Sequence, residues 1–191
     1  MELVFIRHGE SEAIRLARQP GGFFCGRRDC GLSEEGRRQA EELKGNPEIL
    51  GAEAVYCSPL KRAKETAGLL SDQPAIIDER LTERSLGIFE GKWQSELEEN
   101  EEYRKYFTDE RYAHLRASFT VRAPGGENLS DVVERVTPFL EELRKKDYRR
   151  VIIVSHAIAI KCMLKVVENL SEEEVLRLKV RPCEPVRAEL K

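Results

Sequence analysis

Two short apolar runs near opposite ends of the 191-residue chain each stop at a polar cluster that contains a histidine. Leu3 to Ile6 leads directly into Arg7-His8, and Val151 to Val154 leads directly into Ser155-His156. A run of four apolar residues that ends at polar residues is typical of a strand buried on both faces. Such strands belong to a sheet that is covered by helices on both sides.

Further short strands are predicted to alternate with helices between and after these two runs. The other strands are expected at 54–56, 75–77 and 184–190, and the helices at 33–44, 58–70, 129–145, 156–168 and from 171 onward, with an irregular stretch at 13–32. Ser58-Pro59 supplies a predicted N-cap and a first-turn proline, and Ser171 with Glu174 forms a capping box. The alternation predicts an α/β fold, a three-layer α/β/α sandwich with a mainly parallel central sheet.

We expect a single domain over 1–191, in which about 92–122 form a small helical insertion over the active site. Between Glu96 and Arg116 this segment holds seven acidic and four basic residues. Such a charge run is typical of a solvated helix face, and a lid over a pocket is the alternative that remains open.

Charge and composition narrow the class of partner. The chain has 32 Lys and Arg against 35 Asp and Glu, a net charge of -3, and 21 of its basic residues are arginine. A net acidic chain argues against nucleic acid as the main partner, whereas arginine suits two-pronged recognition of phosphate or carboxylate. No apolar run is long enough to span a membrane and the N-terminus lacks a signal peptide pattern, so a cytoplasmic location is expected. Five scattered cysteines without a C-x2-C pair predict reduced thiols and no metal site.

Candidate site residues follow the predicted strands. The first strand is followed by Arg7 and His8, the second by Arg62, the third by Glu83 and the later buried strand by His156. Because ligands bind beyond the carboxyl ends of parallel strands, these side chains are expected at one sheet edge. Arginines bind phosphoryl oxygens, a neutral imidazole can act as nucleophile and a carboxylic acid can protonate a leaving group.

Other phosphate-handling motifs do not fit. Cys57 and Arg62 are separated by four residues, whereas a cysteine phosphatase requires five. The stretch from Gly87 to Lys92 is one residue too short for a P-loop and lacks Ser or Thr after the lysine.

The order of motifs resembles that of the histidine phosphatase superfamily, the phosphoglycerate mutase-like group. The resemblance covers about residues 2–165. The segments that carry it are Arg7-His8-Gly9-Glu10-Ser11, Cys57 to Ala67, Leu81-Thr82-Glu83-Arg84, Pro124-Gly125-Gly126-Glu127-Asn128 and Val154-Ser155-His156.

The resemblance implies a role for each core residue. His8 would be the nucleophile that becomes phosphohistidine, Glu83 would give a proton to the leaving group, and the phosphoryl oxygens would be held by Arg7, Arg62 and His156. Glu10 is the alternative acid. No metal and no cofactor are implied. Further substrate contacts are expected from Ser11, Gly26 and Arg27.

Two positions depart from the family pattern. Ile14 stands where an asparagine is frequent, six positions after His8, so an amide that would contact the phosphate is missing. Ala157 follows His156 where glycine is usual, and its methyl group would narrow the pocket.

Three functions remain open from the sequence. The first is a metal-independent phosphatase for small phosphomonoesters such as sugar phosphates, similar to fructose-2,6-bisphosphatase and to broad-specificity and alpha-ribazole phosphatases. The second is a cofactor-dependent phosphoglycerate mutase, a family that is usually longer and carries paired arginines, whereas the arginines here are separate: Arg104, Arg111, Arg116 and Arg122. The third is a catalytically silent phospho-ligand binding module. The expected partner is a small phosphorylated metabolite, not nucleic acid or membrane, with the chain as monomer or homodimer.

Overall fold

A computed structural model describes residues 1–112 and 114–191 and contains a five-stranded central sheet. Its strands are β1 (Glu2–Arg7), β3 (Ala54–Cys57), β4 (Ile76–Ile77), β6 (Arg150–Ser155) and β7 (Val186–Glu189), while β2 (Phe23–Phe24) and β5 (Lys92–Trp93) form a separate antiparallel pair. The sheet order is β4-β3-β6-β1-β7. The first four run parallel, which confirms the prediction of a mainly parallel sheet. β7 is an edge strand within the expected 184–190 stretch and pairs antiparallel with β1.

Helices cover both faces of this sheet. They are α1 (Glu12–Ala17), α2 (Glu34–Glu42), α3 (Lys61–Leu70), α4 (Gln94–Glu99), α5 (Lys105–Thr108), α6 (Leu129–Arg144), α7 (Ala157–Glu168) and α8 (Glu172–Arg177). Successive side chains of a strand point to opposite faces. Leu3 and Phe5 accordingly pack with α6, α7 and α8, whereas Val4 and Ile6 pack with α3 and the end of α2. The three-layer α/β/α prediction is therefore confirmed. The central strands β1 and β6 are apolar over Leu3 to Ile6 and Val151 to Val154 because both faces of these strands are buried.

A third, smaller apolar cluster lies beneath α4 and α5. Its buried members are Phe24, Phe89, Leu97, Leu115 and Ala123. The charged 92–122 segment thus packs against the β2 region through its few apolar residues and presents its charges to solvent. Within the described residues, no helix is both long and apolar enough to cross a lipid bilayer.

The expectation of an irregular stretch at 13–32 is wrong in part, because it contains α1 and β2. Helix α1 begins after Ser11, whose hydroxyl accepts a hydrogen bond from the Ile14 backbone N–H at 3.3 Å. Six residues are too few to show a helical period in the sequence, and burial of Ala13 supplies the tertiary support.

The expected N-cap at Ser58 is also wrong, because α3 begins three residues later, at Lys61. The Ser58 hydroxyl lies 2.8 Å from His156 Nε2 in the buried interior. The hydroxyl also accepts from the N–H of Leu60, the residue before the helix, and not from an N–H of the first turn of α3.

Candidate active site

The parallel register of β1 and β6 brings the two histidines together. Arg7 pairs with Ser155 at the carboxyl ends of these neighbouring strands, so His8 and His156 follow at the same level. Their ring centroids are 5.0 Å apart. Both side chains are buried, with exposed fractions of 4% for His8 and 0% for His156.

His8 presents one ring nitrogen to the site and anchors the other. Its Nδ1 lies 2.7 Å from the Gly9 carbonyl oxygen, an acceptor, so Nδ1 carries the ring proton. Nε2 therefore keeps its lone pair and accepts a hydrogen bond from Arg62 Nε at 3.3 Å. Burial, and then the charges of Arg62 and Arg7, hold the pKa of His8 well below its usual value. The ring is neutral at neutral pH, as a nitrogen nucleophile must be.

His156 lies behind His8 and keeps one nitrogen without a protein partner. Its Nε2 pairs with the Ser58 hydroxyl at 2.8 Å, while Nδ1 is buried and makes no hydrogen bond. The Leu60 N–H donates to the same hydroxyl at 3.4 Å, which leaves the hydroxyl proton for the ring. This arrangement favours a proton on His156 Nδ1. Burial, followed by nearby positive charge, holds the pKa of His156 well below its usual value.

Two arginines flank His8 from different elements. Arg62, on the first turn of α3, is 2% exposed and donates from its two terminal nitrogens to the carbonyl oxygens of Arg28 (2.8 Å) and Gly26 (3.0 Å). Arg7 donates from Nη1 to the Val180 carbonyl oxygen at 2.9 Å, and its buried Nε makes no hydrogen bond. Burial lowers the pKa of Arg7, although the Glu83 carboxylate opposes this effect.

The Glu83 carboxylate lies on the opposite wall of the site. Its Oε1 accepts from the Arg84 backbone N–H at 2.8 Å, and its Oε2 faces the Ile158 N–H at the start of α7 at 3.4 Å. Two hydrogen bonds fix the backbone around Glu83. Ser155 Oγ donates to the Leu81 carbonyl oxygen at 2.7 Å, and Arg27 Nε donates to the Glu83 carbonyl oxygen at 2.9 Å.

These side chains surround one cavity of about 190 Å³. Its lining consists of Arg7, His8, Ser11, Ala13, Ile14, Ala17, Cys25, Gly26, Arg62, Glu83, Arg84, Leu86 and Ile158. The structure thus places most of the predicted site residues around this one cavity. Gly26 has a φ of +52°, and a Cβ there would lie 2.7 Å from Glu90 Oε1, so this position requires glycine.

Three residues that the sequence predicts for the site are not part of the cavity wall. His156 packs against the His8 ring and does not line the cavity. Arg27 does not line the cavity, since its guanidinium binds the Glu83 carbonyl oxygen and the Glu127 carboxylate at 2.9 Å each. It holds the backbone at Glu83 and does not face the cavity. Glu10, the alternative acid, pairs with Arg18 at 2.6 Å and is also absent from the cavity wall.

Sequence reasoning missed part of the wall. Arg84 is 6% exposed and donates to the carbonyl oxygens of Leu115 (3.1 Å) and Arg116 (2.8 Å), which ties the 92–122 segment to the site. Among the described residues of 92–122, none lines the cavity itself. The sequence identifies Ile14 only as a departure from a family pattern, because its place in the wall depends on helix α1.

Comparison with known proteins identifies the family of this chain. A model of the histidine phosphatase superfamily (branch 1) matches residues 3–191. A 2,3-bisphosphoglycerate-dependent phosphoglycerate mutase 2 from Latilactobacillus sakei is 35% identical over 218 aligned positions, covering 97% of this chain and 92% of the relative. A similar mutase from Parvibaculum lavamentivorans is 31% identical over 199 positions, covering 98% and 90%. The crystal structure of the alpha-ribazole phosphatase from Shigella flexneri superposes with a TM-score of 0.81 at 25% identity, covering 98% of this chain and 89% of that one.

The chain therefore belongs to the histidine phosphatase superfamily, which confirms the family and the fold predicted from the ordered motifs.

Proposed function

We propose that this protein is a metal-independent phosphatase that hydrolyses small phosphomonoesters through a phosphohistidine on His8. The observation that carries the proposal is the set of groups around His8 Nε2. Arg62 Nε donates to this atom, Arg7 lines the same cavity, and the His156 ring lies 5.0 Å from the His8 ring. Arg7 Nε and His156 Nδ1 are buried and have no protein partner. Buried polar atoms are nearly always hydrogen-bonded, so partnerless groups around one cavity indicate the place of an anionic ligand.

The first half of the reaction forms the phosphoenzyme. The His8 Nε2 lone pair attacks phosphorus while the ester P–O bond breaks, and the departing oxygen takes a proton from the Glu83 carboxyl group. Arg7 and Arg62 neutralise the phosphoryl oxygens, and His156 donates to one of them from Nδ1.

The second half returns the enzyme to its starting state. Glu83, now a carboxylate, accepts a proton from a water molecule whose oxygen attacks phosphorus. The P–N bond breaks and its electron pair returns to His8 Nε2. The products are an alcohol and inorganic phosphate, and the charge stabilisation comes from arginines and a neutral histidine.

Arginine placement favours hydrolysis over isomerisation. Three of the four separate arginines are engaged elsewhere. Arg104 donates to the Glu98 carbonyl oxygen, Arg111 pairs with Asp109, and Arg122 pairs with Asp131.

A phosphoglycerate mutase is the second candidate, because the curated relatives at 31–35% identity carry that name. Isomerisation would start from the same phosphohistidine and return the phosphoryl group to a hydroxyl instead of to water. The two functions therefore share every residue of the step at His8 and differ only in the acceptor.

The test combines trapping with a product assay. After acid-free quenching of a reaction with ³²P-labelled p-nitrophenyl phosphate, we expect label on the protein that is stable to base and labile to acid, and that is absent from His8→Ala. Hydrolysis should persist in a metal chelator. A His8→Ala variant with full turnover would refute the nucleophile, and a silent binding module would give neither label nor product.

A second assay separates the phosphatase from the mutase. The enzyme is given 3-phosphoglycerate with and without 2,3-bisphosphoglycerate, and inorganic phosphate and 2-phosphoglycerate are measured. Efficient isomerisation that depends on the bisphosphate would establish the mutase instead.

For its setting, we propose a cytoplasmic location and a small phosphorylated metabolite as partner. The support is the net charge of -3, which disfavours polyanions, together with a cationic site that is confined to one buried cavity.

A further inference from the structure

The outer wall of the active-site cavity is apolar. Helix α1 contributes Ala13, Ile14 and Ala17, the loop after Glu83 contributes Leu86, and the first turn of α7 contributes Ile158. These side chains come from three separate elements and line the same cavity as His8. An alcohol that leaves from the phosphoryl group must lie against them.

The cations near this wall are already engaged. Arg84 donates to two backbone carbonyl oxygens, and Arg27 is held by the Glu127 carboxylate and the Glu83 carbonyl oxygen. These contacts make Arg84 and Arg27 less available to a second phosphate or a carboxylate. Arg62 also donates to two backbone carbonyl oxygens, but its Nε lies 3.3 Å from His8 Nε2, so we assign it, with Arg7, to the reacting phosphoryl group.

Lys161 is a further cation close to this edge, whereas Arg18 pairs with Glu10. Lys161 is half-buried and lies one turn after Ile158. The charges of Arg7 and Glu83 act on its pKa, but its side chain does not line the cavity. A carboxylate on the substrate would have to reach Lys161 past the apolar wall. The alternative to an apolar leaving group is therefore one with a carboxylate that binds Lys161, and an experiment must distinguish the two.

From this wall we infer that the substrate is a phosphomonoester with a single phosphate and an uncharged, largely apolar leaving group, and that Ile14 and Ile158 select it. The inference rests on the proposed phosphatase function and narrows it to a substrate class. A cavity of about 190 Å³ has room for roughly six water volumes, enough for a phosphoryl group and a short carbon chain. Bisphosphates and phosphoglycerates lack the apolar surface that this wall would cover.

A homologous series of substrates tests the inference. Ethyl, n-butyl and n-hexyl phosphate all release a primary alkoxide, so they differ in apolar surface and hardly in chemistry. We expect kcat/KM to rise by about 10-fold from ethyl to butyl phosphate, because each buried methylene adds binding in the transition state. We also expect butyl phosphate to exceed glycerol 1-phosphate and 3-phosphoglycerate by about 10-fold.

Variants locate the selectivity in the wall. The readout is the ratio of kcat/KM for butyl over ethyl phosphate within each variant, because poor folding lowers both values equally. Ile14→Asn and Ile158→Asn should each reduce this ratio several-fold, while Ile14→Met should retain it. The matched control is Leu16→Asn, since Leu16 lies on the same short helix but lines a separate hollow with Phe23 and Lys61.

The outcomes distinguish the inference from the function beneath it. Absence of hydrolysis of every ester, with no label on His8, would refute the proposed phosphatase. Hydrolysis with a flat chain-length profile, or with an unchanged ratio in Ile14→Asn, would refute only the apolar wall. A preference for 3-phosphoglycerate that is lost in Lys161→Gln would also overturn it, and would assign the specificity to that lysine.

Discussion

The two buried histidines should make this protein sensitive to mild acid. Burial lowers the pKa of both His8 and His156 well below the ordinary value. An unfolded chain accepts a proton on each ring as the pH falls through about 6.5, whereas the native state does not. Acid therefore favours unfolding. The histidines contribute their full stability above about pH 6.5, and it is lost as the pH falls from there toward the native pKa.

The size of the effect follows from proton linkage. At about pH 5.5 an unfolded histidine is roughly 90% protonated, and the native ring remains neutral. Between about pH 7.5 and pH 5.5, each histidine then contributes up to about 1.3 kcal/mol to the loss of the free energy of unfolding. The pair contributes up to about 2.6 kcal/mol, which is a large part of a typical domain stability of about 5–15 kcal/mol.

Urea denaturation at the two pH values measures this loss for each protein. We expect His8→Gln and His156→Gln each to lose about 1.3 kcal/mol less than the unchanged protein. His114→Gln is the control, because His114 is exposed and should leave the loss unaltered. Groups common to all variants cancel in the comparison, including Cys30, whose pKa a hydrogen bond from the Cys25 thiol lowers most.

An equal acid loss in all four proteins would refute the reasoning. It would mean that the native rings accept protons near pH 6, and that His8 is therefore not held neutral by its surroundings. His8 would then lack the neutral ring that a nucleophile requires at the pH of the assay.

Two further predictions concern the frame around the site. Gly36→Ala places a methyl group on the carbonyl oxygen of the loop that follows His8, and should cost about 1–3 kcal/mol in urea denaturation, whereas Gly68→Ala, with open space around its Cβ, should gain up to about 1 kcal/mol. Equal effects would contradict the packing argument. Iodoacetamide should modify Cys30 faster than Cys183 at neutral pH, because burial raises the pKa of Cys183 to about 12. Inorganic phosphate should slow this reaction, since Cys30 lies 3.9 Å from Arg62 Nη1; faster modification of Cys183 by peptide mapping would refute the assignment.

The sequence was sufficient to predict the parallel strands and the histidines that follow them. Four-residue apolar runs carry a strong signal when both faces of a strand are buried, and Leu3 to Ile6 and Val151 to Val154 are such runs. Parallel pairing then places the residues after both strands at one edge. The two histidines were therefore predictable without knowledge of any loop.

The apolar wall was not predictable in the same way. Helix α1 is six residues long, and a helix of this length is not stable by itself. Its formation depends on the Ser11 cap and on burial of Ala13, so the direction of Ile14 into the cavity is a tertiary result. The contacts of Arg84 also depend on tertiary structure, because its carbonyl partners lie about 30 positions further along the chain.

Ser58 shows that a local capping signal can fail beside a functional side chain. Ser-Pro before a helical pattern is a strong N-cap signal, and an exposed serine there would end up capping α3. His156 is completely buried and its Nε2 requires a partner that water does not supply. Ser58 meets that requirement, and α3 begins at Lys61 without a side-chain cap at Leu60. The hydroxyl donates its proton to Nε2 and still accepts from the Leu60 N–H at 3.4 Å, so the two hydrogen bonds do not compete. Without Ser58, the unpaired ring nitrogen would cost about 1–3 kcal/mol. The place where the helix departs from its local signal is thus the place where the proton on His156 is fixed.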